Sequence, residues 1–186
     1  HKKLLYLCLI SIYILEGIRF YASFACSWAF AELKQMEGNA KIIKLIARDE
    51  NLHLAASLNI IRQLIKDDKD FVKIKEETND DVMKLFEDCL IQEEEWCDYL
   101  FNNGSMIGLN GGLLKEYVRW IGAKRIKSLG YTVPFSVHQH NPLPWTEKWI
   151  SGGNVQVAPQ ETEITSYTLG GVKQDVDKNS LKGLSL

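Results

Sequence analysis

The opening apolar segment constrains this chain more than any other feature. From about Lys3 to Lys34 the sequence runs "LLYLCLISIYILEGIRFYASFACSWAF" and reads as one long helix that is apolar almost all round. A helix without a polar face must be enclosed by other elements, which predicts a central place in a helical bundle. Such a run also raises the question of a signal peptide or a membrane span. Glu16 and Arg19 interrupt it early, and no small-residue cleavage site follows. A buried core helix is the expectation, with no membrane partner.

Three further helices are legible. "EGN" around Gly38 and Asn39 is a turn signal, and a second helix follows from about Ala40 to Lys66. Its apolar positions, among them Ile42, Ile46, Leu54, Leu58 and Ile61, keep a helical period. The charged "KDDKD" reads as a loop. A third helix is expected from about Asp80 to Phe101, closed by "NNGS", and a fourth from about Leu113 to Ser128, ended by Gly130. From Tyr131 the chain has no helical period, and "NPLPW" is expected to turn it back onto the bundle. After Ser151 it is polar and aperiodic. Two parts are therefore expected: 1–150, an all-α helical bundle, and 151–186, a flexible tail, extended or disordered.

Composition excludes little but is informative about partners. In 186 residues the net charge is −2 and the charged fraction 25%, so no chain-wide affinity for nucleic acid is expected. "KEYVRWIGAKRIK" is cationic on one side and reads as a solvated helix face. The four cysteines, Cys8, Cys26, Cys89 and Cys97, fall in apolar patterns with no C-x-x-C spacing. That suits small buried hydrophobes in a reducing cytoplasm.

"RDENLH" (residues 48–53) interrupts the second helix with polar groups. Glu50 and His53, three apart, share a face of that helix. A carboxylate and an imidazole on a largely apolar helix need partners. A metal ion is one solution, and a partly exposed pair with Glu50 bonded to Arg48 is another. Glu16 strengthens the first, since it lies among Ile14, Leu15, Ile18 and Phe20 without a cation four residues on. Its alternative is an ion pair with Arg19 or another helix. Carboxylate-bridged di-iron bundles take one Glu from each of two helices and a Glu-x-x-His from each of two others. This chain holds one of each and no second Glu-x-x-His, hence half of a two-metal site.

"LEGIRFYASFACSWAFAE" and "MEGNAKIIKLIARDENLH", with "DYLFNNGSMIGLN", "NPLPW" and "NVQVAPQETEITSY", together resemble the C-terminal half of the small, radical-generating subunit of class I ribonucleotide reductase. The resemblance implies a ferritin-like helical bundle, present here as its second half. It implies Glu16, Glu50 and His53 as ligands of a di-iron centre, with iron or manganese as the metal. Phe20, Phe24 and Ile46 would line an apolar pocket shielding a tyrosyl radical. Asp49 would orient a metal-bound histidine supplied by the other half and carry the radical path. Tyr167 and Glu161 would serve radical exchange with the large subunit, on which "LKGLSL" would dock. The family's radical-bearing tyrosine, first Glu-x-x-His and Asp ligand correspond to sequence ahead of His1. The implied partners are thus the missing N-terminal half, the large catalytic subunit and, for the complete small subunit, a second copy. The implied activity is that of a ribonucleoside-diphosphate reductase component, the fragment being inactive alone. The alternative is a non-catalytic helical module that only binds the large subunit. Gly17, directly after a ligand, is expected to permit a local distortion of the helix.

Overall fold

The computed structural model describes residues 1–150, and every named element in them is helical. The expected tail, with Glu161, Tyr167 and "LKGLSL", lies outside the described residues.

The opening segment is not one continuous α-helix. It consists of α1 (Lys2–Ile14), a π-helical turn (Leu15–Arg19) and α2 (Tyr21–Glu32). A π turn widens the hydrogen-bond spacing to five residues, and it falls on the stretch centred on Gly17. The expected distortion is present there. The segment packs against α3 (Glu37–Asp67), α4 (Lys69–Glu77), α5 (Asn79–Leu100) and, through the π turn and α2, α6 (Gly111–Ser128). Tyr6, Ile10, Ile18, Ala22, Ala25 and Trp28 are fully buried, as a central helix demands. Length and composition alone would let Lys2–Glu32 cross a membrane, but here these residues build the core. The result is the all-α bundle that the resemblance implied.

Three expectations require correction. The turn before α3 lies at residues 33–36, where Lys34 and Met36 adopt φ of 62° and 51°. "EGN" instead forms the first turn of α3, where the unpaired helix-end amides tolerate a glycine. The stretch after "KDD" is also not a loop. Asp68 accepts a hydrogen bond from Asp70 N at 2.9 Å and caps α4, which buries Phe71 against Tyr6. Cys8 is exposed rather than buried, although Cys89 and Cys97 are interior and all four thiols are free.

The end of the described chain returns to the bundle. Gly130, at φ 79°, ends α6 as expected. A 3-10 turn (Pro144–Thr146) and α7 (Glu147–Ile150) then bring Trp149 face to face with Trp28, ring centres 6.2 Å apart. Trp149 Nε1 donates to Glu32 Oε1 at 2.8 Å. "NPLPW" thus turns the chain onto the end of α2.

Candidate metal centre

Glu16 leaves the π turn toward α3, and Glu50 and His53 come from adjacent turns of α3 itself. One ligand atom from each lies within 4.8 Å of the other two. His53 Nδ1 is 3.1 Å from Glu50 Oε2 and 3.5 Å from Glu16 Oε2. The two carboxylates are mostly buried, while the His53 side chain is 56% exposed, so the cluster opens on one side. Arg19, the other candidate partner for Glu16, faces Glu93 instead, at 3.7 Å.

The electrostatics are those of crowded like charges. A hydrogen bond between Glu16 and Glu50, then burial, holds the Glu16 carboxyl above the usual carboxylate range, with His53 pulling the other way. His53 is held above the ordinary histidine range chiefly by its hydrogen bond with Glu50. Two carboxylates crowded beside an imidazole suit a divalent cation, which would offset their mutual repulsion and take the imidazole in its neutral form. Oxygen and nitrogen donors of this kind suit iron and manganese.

The remaining expected residues fall into three groups. Phe20 and Phe24 stack at 5.9 Å and pack with Trp28, Ala40 and Ala47 in a small apolar cluster. Ile46 is 40% exposed and not among the members of that cluster. Asp49 is exposed and meets Arg48 at 3.3 Å.

The sequence reading missed the residues behind the cluster. Arg125 is half-buried, not part of a solvated face. Its Nε donates to Gly17 O at 3.1 Å, and its guanidinium lies 5.5 Å from the Tyr21 ring centre. Tyr21 Oη donates to Asn51 Oδ1 at 3.0 Å, and Asn51 Nδ2 donates to Ile150 O at 3.4 Å. The signal was present in the helical period. Arg125 follows buried Val118 and Ile121 by seven and four residues, which puts it on the inward face of α6. Glu93, on α5, is 6% exposed, its Oε2 has no hydrogen-bond partner, and burial pushes its carboxyl up to about 7.

Comparisons with known proteins point one way. The family model described as ribonucleotide reductase, small chain, matches residues 2–142. The chain is 50% identical to ribonucleoside-diphosphate reductase 1 subunit beta of Salmonella typhimurium, an alignment that covers all of this chain and 50% of that protein. It is 41% identical to the ribonucleoside-diphosphate reductase subunit beta of Enterobacteria phage T4, over 94% of this chain and 46% of that one. Among solved structures, the ribonucleotide reductase R2 subunit from Clostridium botulinum superposes with a TM-score of 0.68 at 27% identity, covering 76% of this chain and 44% of that one. The chain spans about half the length of the curated relatives it matches.

Proposed function

Because the chain belongs to the ribonucleotide reductase small-chain family, we propose that it is a component of the small subunit of ribonucleoside-diphosphate reductase, supplying half of a di-iron site for deoxyribonucleotide synthesis. The convergence of Glu16, Glu50 and His53 within 4.8 Å carries this reading. Iron or manganese held there would supply the oxidising chemistry that generates a protein radical. The chain's own residues prepare the site. Glu16 and Glu50 would offer carboxylate oxygens from two helices, and His53 a ring nitrogen once deprotonated. Phe20 and Phe24 keep water from one flank.

The other half of the site would come from a segment matching the rest of the relatives' length. An apolar surface supports that. Ile46 and Ile60 stand seven residues either side of His53, and Leu5, Ile12 and Leu15 stand eleven, four and one residues before Glu16 on the first helix. All five are at least 40% exposed. Apolar residues so grouped around a polar cluster suit a covering partner. Asp49, on the same exposed side of α3, would reach a histidine from that partner, and Ile46 would join Phe20 and Phe24 in the radical pocket once covered. Glu161, Tyr167 and the terminal peptide would carry radical exchange with the large catalytic subunit, in the cytoplasm. The complete small subunit would form a dimer.

The test is reconstitution. The chain, mixed with the N-terminal half of a relative's small subunit and given Fe(II) and oxygen, should yield a radical signal by electron paramagnetic resonance. Glu50→Ala should abolish it together with bound iron. A mixed sample that binds iron identically with and without Glu50 refutes the proposal.

A further inference from the structure

Glu16 and Tyr21 are five residues apart, yet both reach α3: Glu16 to His53 and Tyr21 to Asn51. In an α-helix, side chains five apart diverge by about 140°. A π turn between them narrows that angle, because its wider turn holds an additional residue. The π turn is thus what lets one side of the first helix present both groups to α3. Isolated π turns are rare, and this one has a specific support. The Arg125 side chain enters from α6, donates to the carbonyl of Gly17 inside the turn, and lies against the Tyr21 ring just beyond it. Gly17 leaves the necessary room, since a Cβ there would stand 3.2 Å from Arg125 Nε and 2.9 Å from Leu54 Cδ1. Asn51, the α3 partner of Tyr21, sits between Glu50 and His53 in sequence. One guanidinium is therefore tied to the backbone that carries one ligand and, through Tyr21 and Asn51, to the helix that carries the other two.

From these contacts we infer that Arg125 is a positioning residue for the metal centre, holding the π turn so that Glu16 stays within reach of Glu50 and His53. The inference rests on the metal reading of those three residues. Arg125 does not touch the cluster; it acts through the Gly17 carbonyl. Loss of a hydrogen bond from a charged donor to a part-buried carbonyl should loosen the turn by about tenfold or more in its opening equilibrium.

Two readouts on the complete 186-residue chain test it, both well below the unfolding temperature. Hydrogen exchange reports residues 15–21, and a titration with Co(II), followed by its visible absorption, reports the site. Arg125→Gln should speed exchange at 15–21 about tenfold while α5 stays protected, weaken Co(II) binding and shift its band. Arg125→Lys, which keeps the positive charge that glutamine lacks as well as a donor, should recover part of both. Gly17→Ala, which crowds the guanidinium, should act in the same direction and carries the test if Arg125→Gln does not fold. Equal exchange changes at 15–21 and α5 would make Arg125 a merely structural residue and overturn the inference. So would faster exchange with an unmoved Co(II) affinity and band. A wild-type chain that gives no Co(II) band, either alone or mixed with the N-terminal half of a relative's small subunit, overturns the metal reading itself, and a normal band that Arg125→Gln leaves intact overturns the positioning role alone.

Discussion

Replacing Glu93 with glutamine should stabilise the bundle increasingly as the pH rises. Glu93 is 6% exposed on α5, with Arg19 at 3.7 Å and one carboxyl oxygen unpartnered. Burial lifts its midpoint from 4.5 to about 7. The folded chain therefore keeps a proton that the unfolded chain releases. The group costs nothing below about pH 4.5, and the cost grows as the pH rises from there through about 7, then stays constant. Linkage gives a penalty of about 1 kcal/mol at pH 5 and about 3 kcal/mol at pH 8. Glutamine keeps the shape without the charge. Its buried amide has its own cost of about 1 kcal/mol, but that cost is the same at both pH values and cancels in their difference. Urea denaturation of the wild type and Glu93→Gln at about pH 5 and pH 8 should show the variant gaining about 2 kcal/mol relative to the wild type between the two. A stability difference that does not change with pH, or one that falls as pH rises, would refute the burial argument.

Two further outcomes follow from the packing and the cluster. In the metal-free chain His53 should titrate above an ordinary histidine, and Glu50→Gln should bring it back down, as read by NMR; because a metal takes the neutral ring, Co(II) binding should strengthen as pH rises through that midpoint, and an affinity constant between about pH 5 and 8 would remove His53 from the ligand set. Gly122→Ala would put a methyl 2.8 Å from Leu90 Cδ2, where α5 and α6 are closely packed, and should cost about 1–3 kcal/mol by thermal unfolding, a cost that a smaller residue at position 90 offsets in the double variant.

The sequence carried the large features because they depend on periodicity. Four helical segments and the shared face of Glu50 and His53 were legible by counting along a helix, whereas the meeting of Glu16 with them followed from the di-iron template and not from spacing. The π turn was not, because five-residue spacing leaves no pattern in five residues; only Gly17 marked the place. α4 was lost because its run of Lys, Asp and Glu outweighed the spacing of Phe71 and Ile74, although Asp68 is an ordinary N-cap. Arg125 was misread because a cation on a helix is usually solvated, whereas here a glycine on another helix makes room for it. Trp96 stacks at the surface on Tyr99, its N–H donating to Ser23 Oγ. Its large ring gave no sign of which side of α5 it would occupy.

The uneven burial of the thiols makes the chain its own reporter. Burial raises Cys26 and Cys89 to about 11 and Cys97 to about 12, so near neutral pH they hold almost no thiolate, the form that alkylating reagents attack. Cys8 is exposed, and it precedes Ile12 and Leu15 by four and seven residues on the outer side of the first helix. A maleimide probe therefore reacts with Cys8 ahead of the others. Its rate measures how open the apolar surface around Ile12 and Leu15 is, and a polypeptide settling there is timed by the slowing of one covalent reaction, with no metal, radical or engineered residue required.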